Sequence, residues 1–189
     1  VAVGKNHVTE ASVDKVGVTV AAKDVETRAV DAPSYQSHLD KGGFRALEGC
    51  LSGKMSFDDV VSILKDSGLR GLGGAGFPSA MKWKLVRDEP GPRFLCVNAD
   101  EGEPGTYKDR HILLTDPHRF LEGVLIAAWA VEAADTYIYL RDEYPDIRLS
   151  LAAIIAEIEK AGMTNHTRLH LRRGAGAYIC GEESAMLES

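Results

Sequence analysis

Apolar positions along the chain switch between the 3.6-residue and two-residue periods, and the switches predict alternating helices and strands. Phe57, Val60, Val61 and Leu64 fall on one helical face. Ser56, three residues before Asp59, predicts a capping box at that helix's start, and Gly68 a left-handed end. Pro78 suits the first turn of a second helix over residues 79–86. After the Pro90-Gly91-Pro92 break, residues 94–98 form a short apolar run, read as a buried strand. Residues 117–134 read as a long helix that is apolar on most faces. Residues 136–140, β-branched and aromatic, read as a strand. Residues 146–161 follow as an amphipathic helix with Gly162 beyond it. Residues 168–171 alternate as a strand, and residues 181–187 begin another helix. Strands alternating with helices of these lengths predict an α/β fold, a mostly parallel sheet with flanking helices.

The N-terminal signals are weaker. Residues 1–3 and 16–21 read as short strands and residues 30–34 as a linker around Pro33. Residues 35–51 read as a helix interrupted at Gly42-Gly43. The expected organisation is an N-terminal connecting segment, residues 1–52, followed by an α/β domain, residues 53–189. The last helix stops at Ser189, barely two turns in, so the domain is expected to be incomplete at its C-terminus.

Composition narrows the function classes. The chain has 189 residues, 44% hydrophobic and 26% charged, as in a soluble globular protein. Its net charge of −6 argues against broad nucleic-acid binding. The longest apolar stretch, residues 120–134, contains Glu122 and Glu132 and is too short and too charged to insert directly in a membrane. The first ten residues lack a signal-peptide pattern. Cys50, Cys96 and Cys180 are far apart without metal spacing, which argues against a disulfide framework and against a cluster held by this chain alone. Each reads as a small buried hydrophobe of a protein in a reducing, cytoplasmic compartment. The six histidines show no HxH or HExxH pattern, so no metal ligand is assigned. Trp83 and Trp129 read as packing residues.

Three stretches could carry chemistry. The first is Gly71-Leu72-Gly73-Gly74-Ala75-Gly76-Phe77-Pro78, followed by Lys82 and Trp83. A glycine loop that opens a helix presents backbone N–H groups and the helix dipole to an anion. Gly71, Gly73 and Gly76 fit G-x-G-x-x-G, but a helix precedes them where the dinucleotide fingerprint needs a strand. The alternative is a plain turn between helices. The second runs from Asn98 through Asp100, Glu101, Glu103 and Thr106 to Arg110, just past a predicted strand. Its amide and carboxylates could accept bonds from sugar hydroxyls or flavin N–H groups; the alternative is a solvated acidic turn. The third is Gly174-Ala175-Gly176-Ala177-Tyr178-Ile179-Cys180-Gly181-Glu182-Glu183, a strand-to-helix crossover. Tyr178 offers a ring and a hydroxyl; Glu182 and Glu183 could equally be helix-start charges.

Together, in this order over residues 67–189, the three stretches resemble the NADH-binding flavoprotein family. That family comprises the complex I flavin subunit, the diaphorase subunit of NAD-reducing hydrogenases and the β subunit of NAD-dependent formate dehydrogenases. The resemblance implies overlapping FMN and NAD(H) sites. It places Gly71, Gly73, Gly74, Lys82, Asn98, Asp100, Glu101, Tyr178 and Gly181 at flavin-lining positions. It places Phe77 against adenine, and Glu103, Glu182 and Glu183 near the ribose and nicotinamide groups. Carboxylates there would accept ribose hydroxyls and repel the extra phosphate of NADPH. The implied reaction is hydride transfer between nicotinamide and flavin, with no residue assigned as catalytic; the alternative is a non-catalytic nucleotide-binding module that kept the loops. Leu72 stands where complex I members usually carry arginine, which brings the loop closest to formate dehydrogenase β subunits. The resemblance implies iron–sulfur and catalytic partner subunits in a larger redox complex, and a 4Fe–4S cluster only in a missing C-terminal part. Val1-Ala2-Val3-Gly4 is similar to the tail of a preceding thioredoxin-like module.

Overall fold

The computed structural model describes residues 33–72 and 74–189, together with the backbone of two short N-terminal strands. These strands, β1 (Ala2–Val3) and β2 (Asn6–His7), pair antiparallel. The expected strand over residues 16–21 and most of the expected linker lie outside the described residues.

Helices α1 (Tyr35–Asp40) and α2 (Arg45–Leu51) flank the Gly42-Gly43 break as the sequence predicts. In α3 (Phe57–Ser67) the Ser56 hydroxyl caps the Asp59 amide while the Asp59 carboxylate takes the Ser56 amide. Gly68 ends α3 at φ 66°, a left-handed conformation that glycine adopts without penalty. Helix α4 (Ser79–Asp88) follows, with Pro78 at its N-cap.

Strands and covering helices then alternate along the chain. Strand β3 (Arg93–Ala99) leads to α5 (Lys108–Thr115) and α6 (Pro117–Val131). Strand β4 (Ala133–Leu140), α7 (Pro145–Lys160) and β5 (Arg168–Arg173) come next. A 3-10 turn (Tyr178–Gly181) and α8 (Glu183–Glu188) follow. The three long strands form a parallel sheet in the order β3-β4-β5. This is the α/β arrangement with flanking helices that the sequence predicts.

Leu121 and Leu125 of α6, Ile138 and Leu140 of β4, and Leu151 and Ile158 of α7 are completely buried in one core. Phe44 and Leu47, at the start of α2, are completely buried in the same core. Each fully buried side chain of this size contributes roughly 1.5–3 kcal/mol of hydrophobic stabilisation.

Four expectations are corrected. The strand over residues 94–98 is not buried on both faces. Leu95, Val97 and Ala99 point toward the core, whereas Phe94, Cys96 and Asn98 are exposed, because helices α6 and α7 cover only one face. Cys96 is therefore not a buried hydrophobe, although Cys50 and Cys180 are. Helix α6 ends at Val131 and not at residue 134. Glu132 turns left-handed at φ 54°, and Arg87 and Arg93 both pair with its carboxylate. The same two arginines donate to the terminal carbonyls of Ala130 and Val131. This cationic clamp suits the negative helix end and offsets the strain of a left-handed glutamate. The last helix begins at Glu183 and not at Gly181, which belongs to the 3-10 turn.

Candidate functional site

The candidate site lies where the three parallel strands end. The Arg141 amide donates to the Ala99 carbonyl at 3.0 Å and the Gly174 amide to the Leu140 carbonyl at 2.7 Å. The loops leaving β3, β4 and β5 therefore start side by side. Ligands of open parallel sheets bind outside these carboxyl ends. A cleft of about 670 Å³ opens there, within the range of cofactor sites.

Asn98 closes the floor of the cleft. Its side-chain amide donates to the Gly181 carbonyl at 2.7 Å, and its side-chain oxygen accepts from the Asp100 amide at 3.0 Å. It thus joins the end of β3 to the 3-10 turn, 83 residues away. Gly181 permits that approach, since a Cβ there would lie 3.1 Å from the Asp100 carbonyl. Gly102 does the same against Tyr178, where a Cβ would lie 3.3 Å from the carbonyl oxygen.

Glu101 is the most buried acid of the wall, 4% exposed. Its carboxylate accepts from the Asp109 amide at 2.8 Å, the Arg110 amide at 3.2 Å and the Tyr144 hydroxyl at 3.0 Å. It therefore caps the first turn of α5, whose positive end favours a carboxylate. Burial pushes its pKa up, but these three bonds and the nearby Lys108 outweigh burial and hold it below the ordinary glutamate value. Asp100 goes the other way. Burial raises its pKa and Glu143 adds to the rise, against the pull of Arg141.

At the mouth, the Tyr178 hydroxyl donates to Glu103 across the gap between the β3 and β5 loops. That bond holds the phenol proton and raises the Tyr178 pKa. The Glu182 carboxylate caps α8 by accepting from the Ser184 hydroxyl and from the Ser184 and Ala185 amides, which lowers its pKa. The wall carries five carboxylates, on Asp100, Glu101, Glu103, Asp109 and Glu182, against one cation, Lys108. It is a surface of acceptors suited to hydroxyl and N–H donors.

The structure brings Asn98, Asp100, Glu101 and Glu103 to this cleft together with Tyr178, Gly181 and Glu182. The glycine loop contributes Leu72, which is 80% exposed. Gly71, Gly74, Phe77, Lys82 and Glu183 are exposed and are not on its wall. Gly73 lies outside the described residues. The loop is partly self-satisfied. The Gly71 amide donates to the Phe77 carbonyl at 2.9 Å, and the Arg70 guanidinium donates to the Gly76 carbonyl at 2.9 Å. The Gly71 amide is thus already paired within the loop.

Arg141 and Tyr144, which the three sequence stretches omit, support the cleft from behind. The signal that could have found them is their place immediately after β4, the middle strand. Among the described residues no group of three or more His, Cys, Asp or Glu side chains could hold a metal ion. Nor is any described helix long and apolar enough to cross a membrane.

The chain is similar to known proteins over most of its length. An NADH-quinone oxidoreductase subunit of Rhizobium meliloti is 45% identical over 174 residues, 86% of this chain and 41% of that protein. The NADH-quinone oxidoreductase subunit of the same type in Aquifex aeolicus is 44% identical over 164 residues, 82% of this chain and 38% of that protein. The chain thus spans about two fifths of the length of these relatives. Among solved structures, an NAD+-reducing NiFe hydrogenase in the air-oxidized state superposes with a TM-score of 0.70 at 35% identity. That superposition covers 96% of this chain and 33% of the hydrogenase chain. Residues 64–189, two thirds of the chain, match the family described as the Nuo51 FMN-binding domain, and the chain belongs to that family.

Proposed function

We propose that the cleft at the carboxyl ends of β3–β5 binds FMN and NAD(H), as part of a flavin-dependent NADH dehydrogenase subunit. The observation that carries this reading is the convergence of Asn98, Asp100, Glu103, Tyr178 and Glu182 on one cleft in a chain of the FMN-binding family. The donor set fits such ligands. Asp100 and Glu103 offer acceptors, Tyr178 offers a ring face, and the close-approach glycines Gly102 and Gly181 leave a backbone floor. FMN, when bound, exchanges a hydride with NAD(H) and single electrons with iron–sulfur clusters. The protein's part is to hold, orient and screen. Tyr178 and Glu103 flank the entrance, and the acidic wall disfavours the additional phosphate of NADPH. Gly71, Gly73, Gly74 and Lys82 belong in this reading to the phosphate end, and Phe77 and Glu183 to the nucleotide end.

The whole protein is in this reading a subunit of a multisubunit, cytoplasmic redox complex. Its 4Fe–4S cluster lies in sequence beyond residue 189, and residues 1–52 are a connecting segment whose helix α2 docks on the core of the α/β domain through Phe44 and Leu47. We assign it to an NAD-dependent formate dehydrogenase as the β subunit, because Leu72 replaces the arginine usual in complex I and stands on the cleft wall. The 44–45% identity to NADH-quinone oxidoreductase subunits favours a complex I parent instead. Formate-dependent NAD+ reduction by the purified native complex decides between them, and its absence overturns the formate dehydrogenase assignment.

The central test is a visible spectrum of the native complex under anaerobic conditions. A flavin band is expected that NADH bleaches and NADPH does not. A folded preparation without a flavin band would overturn the proposal. Lys82→Ala is expected to weaken flavin retention about tenfold, the scale of one charge-assisted contact. Full flavin occupancy in that variant would remove Lys82 from the phosphate end.

A further inference from the structure

Two residues behind the cleft converge on one buried group inside it. Tyr144, in the turn after β4, donates its hydroxyl to the Glu101 carboxylate at 3.0 Å. Arg141, in the same turn, donates to the Glu101 backbone carbonyl, and its guanidinium also pairs with Glu143. The two are stacked, with the Arg141 guanidinium 5.5 Å from the Tyr144 ring centre and the Arg110 guanidinium 5.9 Å from it on its own approach. Neither Arg141 nor Tyr144 is on the cleft wall.

Glu101 is therefore gripped on both its side chain and its main chain by the β4 turn. Its neighbours in sequence, Asp100 and Glu103, face the cleft. Both carboxylate oxygens of Glu101 already accept hydrogen bonds from the protein. Its contribution to the cleft is thus mechanical. It sets where Asp100, Gly102 and Glu103 stand, and the position of Glu103 in turn sets its bond to Tyr178 on the opposite rim.

We propose that Tyr144 and Arg141 are positioning residues for nucleotide binding, acting through Glu101 to fix the acidic loop between β3 and α5. The proposal rests on the reading of the cleft as an FMN and NAD(H) site. A displaced loop weakens the hold on the nucleotide in the ground state and the transition state alike, so the effect is expected in KM more than in kcat.

The test is Tyr144→Phe in the full-length protein assembled with its partners. Phenylalanine keeps the ring and removes the single donor. The KM for NADH is expected to rise about tenfold, with kcat changed less than about twofold, the scale of one hydrogen bond to a charged group. The dissociation constant for NAD+, measured by calorimetry, is expected to rise in parallel. Hydrogen exchange at the Asp109 and Arg110 amides, whose bonds Glu101 accepts, is expected to accelerate by a similar factor. An unchanged KM with unchanged exchange overturns the proposal. So does faster exchange with an unchanged KM, since Tyr144 would then brace the fold alone. Arg141→Lys is the second variant. It keeps the cation but cannot reach the Glu101 carbonyl and Glu143 together, and it should move KM in the same direction by a smaller factor. The wild type separates the positioning role from the functional reading beneath it. A wild-type flavin that NADH does not reduce overturns the functional reading. A responsive wild type beside an indifferent Tyr144→Phe overturns only the positioning role.

Discussion

Glu101→Ala is expected to lower the stability of the domain by about 3 kcal/mol, in the range for removing one partner of a buried, multiply bonded charge. Three donors lose their acceptor at once, the Asp109 and Arg110 amides and the Tyr144 hydroxyl. The first turn of α5 loses its cap, and alanine supplies neither charge nor acceptor. Urea denaturation of the full-length protein measures the loss. A change under about 0.5 kcal/mol, the level of an ordinary surface substitution, would show that Glu101 does not hold the loop. The pH dependence gives an independent check. The folded-state pKa of Glu101 lies below the ordinary value of 4.5. A depressed carboxylate binds its proton more readily in the unfolded chain. Its stabilisation is therefore complete above about pH 4.5 and is lost as the pH falls through the folded-state pKa. The acid limb of the wild-type stability curve should be shallower in Glu101→Ala, and identical limbs would contradict the assignment.

The role of Glu101 also shows what the sequence hid. Asp100, Glu101 and Glu103 read correctly as a loop beyond a strand, with Asn98 in the last residues of that strand, and the rule of carboxyl-end binding put all four beside the cleft. The division of labour within the loop was not legible. Whether an acid faces a ligand or caps a helix depends on Tyr144, 43 residues away. The same holds for α6. Residues 120–134 are largely apolar apart from Glu122 and Glu132, and no glycine or proline marks the change to strand after Val131. The stop is set by Arg87 and Arg93, which lie far upstream and clamp Glu132. Cys96 fails as a buried hydrophobe for a related reason. A short apolar run does not reveal that helices cover only one face of its strand. Local signals fared better. The Ser56–Asp59 box and Gly68 write their own geometry through contacts within three residues. The parallel sheet followed from the lengths of the alternating segments, which a crossover connection requires.

Asn98→Asp is expected to be the most damaging single substitution for flavin retention, because it inverts a hydrogen bond without changing shape. The wild-type amide donates to the Gly181 carbonyl at 2.7 Å. An ionised carboxylate has no proton to give and sets an anionic oxygen against that carbonyl. It also adds a sixth acid to a wall that holds five carboxylates. The 3-10 turn that carries Tyr178 and Gly181 should move away from β3, opening the floor that Gly181 closes against Asp100. Flavin affinity, measured from the fluorescence released on dilution of the full-length protein, should fall roughly a hundredfold. Asn98→Ala removes the donor without adding repulsion and should cost only about tenfold. The order of the two variants is the discriminating result, since a purely steric role for Asn98 would make alanine the worse. Acid should distinguish them further. Once protonated, the introduced carboxyl regains an O–H donor that can face the Gly181 carbonyl. The Asn98→Asp variant should therefore recover affinity, relative to Asn98→Ala, as the pH falls through the pKa of that carboxyl. Equal affinities at every pH would mean that the clasp between β3 and the 3-10 turn does not govern the cleft.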